Sequence, residues 1–439
     1  MTEQPRSQPR AIPATRLSRF NRLASMTARV GGNMAGGAIQ DLARGQRPNM
    51  RDLLLTPGNM RRIADDLAKM RGAAMKIGQL VSMDTGDVLP PELAQIFARL
   101  RADADFMPPA QLKKVLNANW PDGWLKQFAR FDVHPIAAAS IGQVHRAQLK
   151  DGRDVAIKVQ YPGVAKSIDS DVSNVGALMK VSGLLPAGFE LKPYLTEARR
   201  QLHEETDYAL EGRQLQAFRA HLEGHEAFTL PEMYDDWTTE NILTMSYVSG
   251  VPIEDAMNAP QDERNRIAKR LLRLMLDELF TFHLMQTDPN FANYRYDPGT
   301  GKIILLDFGA TRTIDSELAD QYRHLMHAGF NDDTDTLRAI AVEIGFLSEG
   351  TDPRHATRIL RMMQLVFAAL SDTDVFDFTR TDLSDSMNRE GRALAEDGFV
   401  PPPLPMDVLY LQRKFGGMFL LCARLKAQVP VKSLIADYL

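Results

Sequence analysis

The spacing of apolar positions changes along this chain, and the changes mark its elements. Ile63, Leu67, Met70, Ala74 and Ile77 recur every three or four residues, which predicts helix, and Pro90-Pro91 breaks the run. Residues 26–105 therefore read as helical. From about 111 to 250 strand patterns take over. Val144 to Leu149 and Val155 to Val159 flank Asp151-Gly152, a strong hairpin signal. One long helix is expected from about Leu195 to Leu222, then a strand from Asn241 to Val248. The remainder reads as helix apart from the apolar strand Ile303 to Leu306, and Pro401-Pro402-Pro403 marks a late loop. No internal repeat is visible. The pattern predicts an α+β fold in four segments. These are a tail over 1–24, a helical extension over 25–110, a strand-rich lobe over 111–250 and a helical lobe over 251–439.

Composition narrows the function classes. The chain has 439 residues and a net charge of −4, so no bulk attraction to nucleic acid is expected. Its single cysteine, Cys422, excludes an intrachain disulfide and a Cys-based zinc site and suits a reducing, cytoplasmic compartment. No uncharged apolar run approaches the ~20 residues needed to cross a bilayer. The first 24 residues carry Arg6, Arg10, Arg16, Arg19 and Arg22 with only Glu3 acidic. That pattern fits a disordered tail, a transit peptide or a membrane-surface arm. Val30 to Ile39 is apolar, small and uncharged. It is too short to span, and suits either an interfacial segment or a close-packed helix.

The chemistry lies in an ordered set of motifs. Val155-Ala156-Ile157-Lys158 offers a lysine from an apolar strand, where an unpaired ammonium is costly, so it needs nucleotide phosphates and a carboxylate. Glu204, Asp207 and Glu211 fall on one face of the expected long helix, and Glu211 is the partner chosen for Lys158. Asp288 and Asn293 stand five apart, the spacing of a catalytic-loop Asp and its metal-binding Asn. Asp307-Phe308-Gly309 follows a strand, where the metal-holding Asp of a kinase belongs. Met245 and Tyr247, on the strand from Asn241 to Val248, are further candidate nucleotide contacts.

Three departures from an ordinary protein kinase stand out. Ala137 to Val144 has the frame A-x-A-x-x-G-x-V where kinases have G-x-G-x-x-G-x-V. Alanine resists the left-handed backbone and close phosphate approach that glycine permits. The loop Ala137-Ala138-Ala139-Ser140 is therefore expected to take another shape over the phosphates, with the Ser140 hydroxyl as an extra donor. Gln286-Thr287 stand in place of His-Arg before Asp288, and no A-P-E follows Asp307. The site reads as built to bind ATP without using it as a protein kinase would.

Lys76-Ile77-Gly78-Gln79, Ala137-Ala138-Ala139-Ser140, Glu205-Thr206-Asp207 and Asp288-Pro289-Asn290-Phe291-Ala292-Asn293 together resemble the UbiB/ADCK atypical kinase-like proteins, also called the AarF family. The last motif is similar to the branch containing mitochondrial coenzyme Q biosynthesis ATPases. The resemblance implies a protein-kinase-like bilobal fold whose N-terminal helical extension lies over the nucleotide site. It implies that Lys76 and Gln79 regulate the site, with Lys76 meeting Glu205 or Asp207. It further implies ATPase-type activity, membrane association and a role in support of ubiquinone synthesis, with ATP or ADP and Mg2+ as the expected cofactors.

The partners this suggests are a ubiquinone-precursor lipid, an anionic membrane, other ubiquinone-biosynthesis enzymes and a homodimer. The location is cytoplasmic and peripheral at the inner membrane of a bacterium, or the matrix side in a mitochondrion. Two alternatives stand beside this reading: a true kinase acting on a small lipid or protein, and a pseudokinase scaffold.

Overall fold

The computed structural model describes residue 67 and residues 70–85, 106–181, 190–399 and 401–439. The arginine-rich tail, the stretch Val30 to Ile39 and Pro90-Pro91 lie outside the described residues. The chain divides into two compact units, 1–216 with 231–247 and 217–230 with 248–439.

In chain order the first elements are α1 (Arg71–Thr85), α2 (Pro109–Asn119), β1 (Phe128–Phe131), β2 (Ala137–Ala138), β3 (Gly142–Leu149) and β4 (Asp154–Gln160). They are followed by α3 (Val164–Val181), α4 (Lys192–Glu205), α5 (Tyr208–His221), β5 (Phe228–Thr229) and β6 (Ile242–Ser246). Then come β7 (Val251–Pro252), α6 (Gln261–Phe280), β8 (Leu284–Gln286), β9 (Tyr294–Asp297), β10 (Lys302–Leu305) and β11 (Thr311–Thr313). The chain closes with α7 (Ser316–Phe330), α8 (Thr334–Ile344), α9 (Pro353–Ser371), β12 (Phe376–Asp377), α10 (Asp382–Glu396), α11 (Met406–Arg424), β13 (Gln428–Val429) and α12 (Val431–Ala436).

The first unit is built on a five-stranded antiparallel sheet in the order β1-β3-β4-β6, with β2 also paired to β3. The hairpin expected around Asp151-Gly152 joins β3 to β4, and Gly152 takes the positive φ of 97° that the turn requires. Because side chains alternate across a strand, the two faces of this sheet have different jobs. Val155, Ile157, Val159 and Ile242 pack into a core with Trp120, Trp124 and Phe128. The rings of Trp120 meet those of Trp124 and Trp237 edge-on, with centroids 5.1 Å apart in each pair. Both buried indoles keep a hydrogen bond, Trp120 Nε1 to the Trp237 carbonyl and Trp124 Nε1 to Asn117 Oδ1. The other face carries Val144, Ala156, Lys158, Leu243 and Met245, set in register by the pairs Val144↔Lys158, Lys158↔Leu243 and Ala156↔Met245.

Two sequence expectations change here. The segment 111–250 holds α3 in addition to the helical stretch expected from about Leu195 to Leu222. The long helix is in fact two helices, broken at Thr206-Asp207. Asp207 ends the continuity by accepting the Leu210 amide on its own side chain at 2.9 Å, the usual act of a helix-starting aspartate. Glu204, Asp207 and Glu211 therefore do not share one helix face.

The second unit holds a four-stranded sheet, β5-β10-β9-β7, and the two-stranded pairs β8-β11 and β12-β13. Helices make up most of the rest of this unit. The α+β expectation is met.

His145 supplies a pH test of the first unit. Its ring is fully buried, stacks on Phe131 and hydrogen-bonds both Gln143 and the Asp132 carbonyl. Burial lowers its pKa below the ordinary 6.5, and the Asp132 carbonyl only partly opposes this. The unfolded chain thus takes up a proton near 6.5 that the folded chain resists. Stability contributed by the neutral ring is present above that pH and is lost as pH falls through it. Urea unfolding followed by the fluorescence of Trp120, Trp124 and Trp237 is expected to show a midpoint that drops below pH 6.5, and less steeply in His145→Gln.

Candidate active site

Within the first unit, Lys158 leaves β4 on the face opposite the tryptophan core. Its ammonium donates to both carboxylate oxygens of Glu211, at 2.7 and 2.8 Å. Lys158 is 8% exposed and Glu211 4%, so each charge depends on its partner for the solvation it has lost. Tyr208 lies beside them, its ring centroid 5.3 Å from the ammonium. Glu211 sits in the first turn of α5, which exists as a first turn because the chain breaks at Thr206-Asp207.

The alanine frame lies in β2 and the turn after it. Ala137 and Ala138 pair with Val144 and Gln143, and the Ala139 amide donates to the Gly142 carbonyl at 2.9 Å. None of the three adopts a positive φ. The segment is a short exposed strand closing a tight turn. Only Gly142 of the frame is sterically required: a Cβ there would come within 2.6 Å of both the Tyr208 hydroxyl and the Val159 carbonyl.

Ser140 donates its hydroxyl proton to Glu205 at 2.7 Å, so that proton is committed within the protein. Glu205 also pairs with Lys76 of α1, which is buried. Lys76 meets Glu205 rather than Asp207, which instead lies 3.7 Å from Arg213 in an exposed pair. Gln79, one turn further along α1, is partly buried. Lys76, Glu205 and Ser140 thus form one chain of contacts from the helical extension to the alanine turn.

Met245 is buried on the same sheet face as Lys158. Tyr247 follows β6, where the Arg146 guanidinium covers its ring at 3.9 Å and also pairs with Asp154.

In the second unit, β8 and β11 bracket the loop that holds Asp288, and β9 and β10 form the hairpin that follows it. Leu305 pairs with Tyr294 in that hairpin, and the Leu306 amide donates to the Asn293 carbonyl at 3.1 Å. The register therefore brings Asn293 and Asp307 to the same hairpin end although they are far apart in sequence. The Asn293 amide nitrogen lies 3.2 Å from the Asp288 carbonyl and 3.4 Å from its carboxylate. Asp307 accepts the Gly309 amide at 2.9 Å, and Phe308 is buried against Phe218 with centroids 5.0 Å apart.

Sequence reasoning missed the residues under this loop. Lys414 of α11 is 1% exposed and donates to the Gln286 carbonyl at 2.8 Å and the Tyr294 hydroxyl at 3.2 Å. It also forms an ion pair with Glu278 at 2.9 Å. Burial pushes the Glu278 pKa up; it pulls that of Lys414 down, but Glu278 and Tyr294 overcome this and hold the ammonium charged. Arg413, its neighbour, donates to Asp288 at 2.5 Å. A Cβ on Gly417 would sit 2.2 Å from Pro289, so α11 lies directly on the loop. No local signal in the sequence ties residues 413–417 to a loop more than a hundred positions earlier.

Magnesium asks little of a protein: one or two oxygen ligands, with phosphates and water completing the shell. The carboxylate of Asp307 and the side-chain carbonyl of Asn293 match that demand. Among the described residues no cluster of three or more His, Cys, Asp or Glu suits a metal that needs a full protein cage.

Residues 99–341 match the ABC1 atypical kinase-like domain. The yeast Saccharomyces cerevisiae protein "Atypical kinase COQ8, mitochondrial" is 38% identical over 431 residues, covering 97% of this chain and 85% of the relative. "Atypical kinase COQ8B, mitochondrial" of Danio rerio is 35% identical over 440 residues, covering 98% and 70%. The chain belongs to the ABC1, or UbiB/ADCK, atypical kinase-like family. Its fold is the protein-kinase-like one. The solved complex of Rv3197 with erythromycin from Mycobacterium tuberculosis has the same fold, with a TM-score of 0.61 at 24% identity over 87% of this chain and 96% of that one. In this ABC1-family protein the Lys158–Glu211 pair, the Asp288 loop and Asp307 are all present, whereas the glycine-rich loop is replaced.

The buried ion pair gives the second test. Lys414→Ala leaves the Glu278 carboxylate buried without its cation and is expected to cost about 3–5 kcal/mol. Lys414→Met with Glu278→Leu removes both charges and is expected to recover most of that loss. Urea denaturation of the three proteins measures the difference, and equal stability of the single and double variants would refute it.

Proposed function

We propose that this protein is a Mg2+-dependent, kinase-like ATPase acting in support of ubiquinone synthesis at a membrane surface. The observation that carries the reading is the retained pair Lys158–Glu211 together with Asp288, Asn293 and Asp307, against a phosphate loop that has lost two glycines. A scaffold has no need of all five groups. Lys158 holds the nucleotide phosphates and Glu211 keeps its ammonium aimed. Met245, on the same sheet face as Lys158, contributes an apolar wall to the nucleotide, and the segment from Ala137 to Ser140 lies over it.

Asp307 and Asn293 would hold Mg2+, which when bound neutralises phosphate charge during transfer. Asp288 orients the attacking oxygen and receives its proton. With β2 paired as a strand and Lys76 locked to Glu205, the helical extension restricts large protein substrates and favours water as the acceptor.

The relatives named COQ8 and COQ8B support the ubiquinone assignment and, if this chain is eukaryotic, a mitochondrial setting. Among the described residues no helix is long and apolar enough to cross a membrane. Contact with anionic lipid is assigned to the arginine-rich tail and Val30 to Ile39, on sequence alone.

The division of roles is directly testable. Asp307→Asn and Lys158→Ala are expected to weaken Mg·ATP binding sharply in calorimetric titration. Asp288→Asn is expected to bind nearly as well while releasing phosphate roughly 10²–10⁴-fold more slowly. Loss of binding in Asp288→Asn, or unchanged binding in the other two, would overturn the assignment. Label appearing on a lipid or protein acceptor instead of in free phosphate would make the protein a true kinase.

Membrane action has its own test. Vesicles containing anionic lipid are expected to recruit the protein and raise its phosphate release. Added salt and deletion of residues 1–40 are each expected to weaken recruitment. Indifference of the full chain to such vesicles at low salt removes the membrane part of the proposal and leaves the ATPase.

A further inference from the structure

The loop that carries Asp288 contains no cation of its own: residues 284–293 read Leu-Met-Gln-Thr-Asp-Pro-Asn-Phe-Ala-Asn. Asn290, two positions after Asp288, turns its side chain back to accept the Ala292 amide at 3.2 Å. The loop therefore has nothing charged with which to fix the carboxylate that the proposed reaction depends on. A carboxylate held only by a long contact from Asn293, at 3.4 Å, is free to rotate about its last bond.

Arg413 of α11 closes this gap from more than a hundred residues away. Its Nη2 donates to Asp288 Oδ1 at 2.5 Å, in an ion pair whose arginine side chain is 18% exposed and whose aspartate side chain is 24% exposed. A guanidinium is planar and directional, so this bond restrains the carboxylate where the loop itself offers only the long Asn293 contact.

The helix beneath is not free to shift. Lys414 is buried and bonded to Glu278, Gln286 and Tyr294, and the missing Cβ of Gly417 lets the helix touch Pro289. Gln286 and Pro289 stand on either side of Asp288 in the chain. Three contacts of α11 thus fall on the four residues 286–289, and one of them falls on the only carboxylate of that stretch.

We infer that Arg413 is the positioning residue for Asp288, supplied from α11 because the loop itself holds no cation. The inference rests on the reading of Asp288 as the group that orients the attacking oxygen. Arg413 acts through that carboxylate. It holds Oδ1; Oδ2, 3.4 Å from the Asn293 amide nitrogen, is the more loosely held oxygen and the one left to take the nucleophile's proton. On this view α11 is part of the phosphoryl-transfer machinery, and Lys414 and Gly417 are its mounting.

The experiment compares Arg413→Ala, Arg413→Lys, Asp288→Asn and Arg413→Ala/Asp288→Asn in the full-length protein, by phosphate release and by Mg·ATP titration. Arg413→Ala is expected to lower turnover about 10²-fold, the usual effect of misplacing a reacting group, with nucleotide affinity within a factor of two or so of wild type. Arg413→Lys is expected to recover part of the rate. Millimolar guanidinium added to Arg413→Ala is expected to recover part of it too, which a merely structural role would not produce. In the Asp288→Asn background the Arg413→Ala change is expected to cost little more, because the group it positions is already gone.

The inference is overturned if Arg413→Ala turns over as wild type, or faster, as it would if Arg413 only masked Asp288. It is overturned equally if the two losses multiply in the double variant, or if nucleotide affinity falls along with rate. Failure of the underlying reading looks different: Asp288→Asn would itself keep wild-type turnover, whatever Arg413→Ala does.

Discussion

An ammonium group placed in the middle of an antiparallel sheet is the constraint from which the first unit follows. Lys158 is flanked in register by Val144 and Leu243, with no water-facing edge to escape to. Its charge is made tolerable by Glu211, which presents both oxygens to it. That requirement fixes where α5 must begin and how it must lie. It explains why a helix break at Thr206-Asp207 is kept where an unbroken helix would be simpler. The break lets Glu205 finish one helix and answer Lys76, while Glu211 opens the next and answers Lys158. Two lysines are served by two carboxylates six residues apart, each with its own geometry.

The second unit solves a similar problem with its charges arranged in the opposite sense. There the group of interest, Asp288, is an anion on an irregular loop, and the cations come from a regular helix behind it. Lys414 is buried and holds the backbone of the loop; Arg413 is partly exposed and holds the carboxylate. The neighbouring positions differ in burial because successive helix residues point about 100° apart. One therefore enters the core while the other reaches the loop.

Much of this was legible in the sequence, for a physical reason. Strand alternation and turn chemistry are local, so β3, β4, their hairpin turn and the strand before Asp307 could be read directly. A lysine in an apolar strand demands a carboxylate, and that demand singled out Glu211. The helix break was not legible. Neither glycine nor proline marks it, and Asp207 looks like any other acidic helix residue until its side chain is seen to take the Leu210 amide. Lys76 meeting Glu205 came only through family resemblance, since a lysine on a helix is ordinarily solvated. The loop at Ala137 was expected to take a shape other than that of a glycine-rich loop, and it is a short strand whose one remaining frame glycine is Gly142. Arg413 and Lys414 were invisible because their partners lie far away in sequence and their own helix gives no sign of them.

The hairpin of β9 and β10 gives a last consequence. Asn293 and Asp307 come to the same end because they stand at the open end of two strands running side by side. The turn at Pro298 to Gly301 closes the far end. Lengthening that turn would move neither residue, since each strand reads its position from its partner. The number of residues between the two is thus a measure of hairpin length and carries no chemical meaning. The tip can therefore vary in length without changing that register, although its present turn is tied to α6 by Arg270, which donates to the Gly301 carbonyl at 2.6 Å.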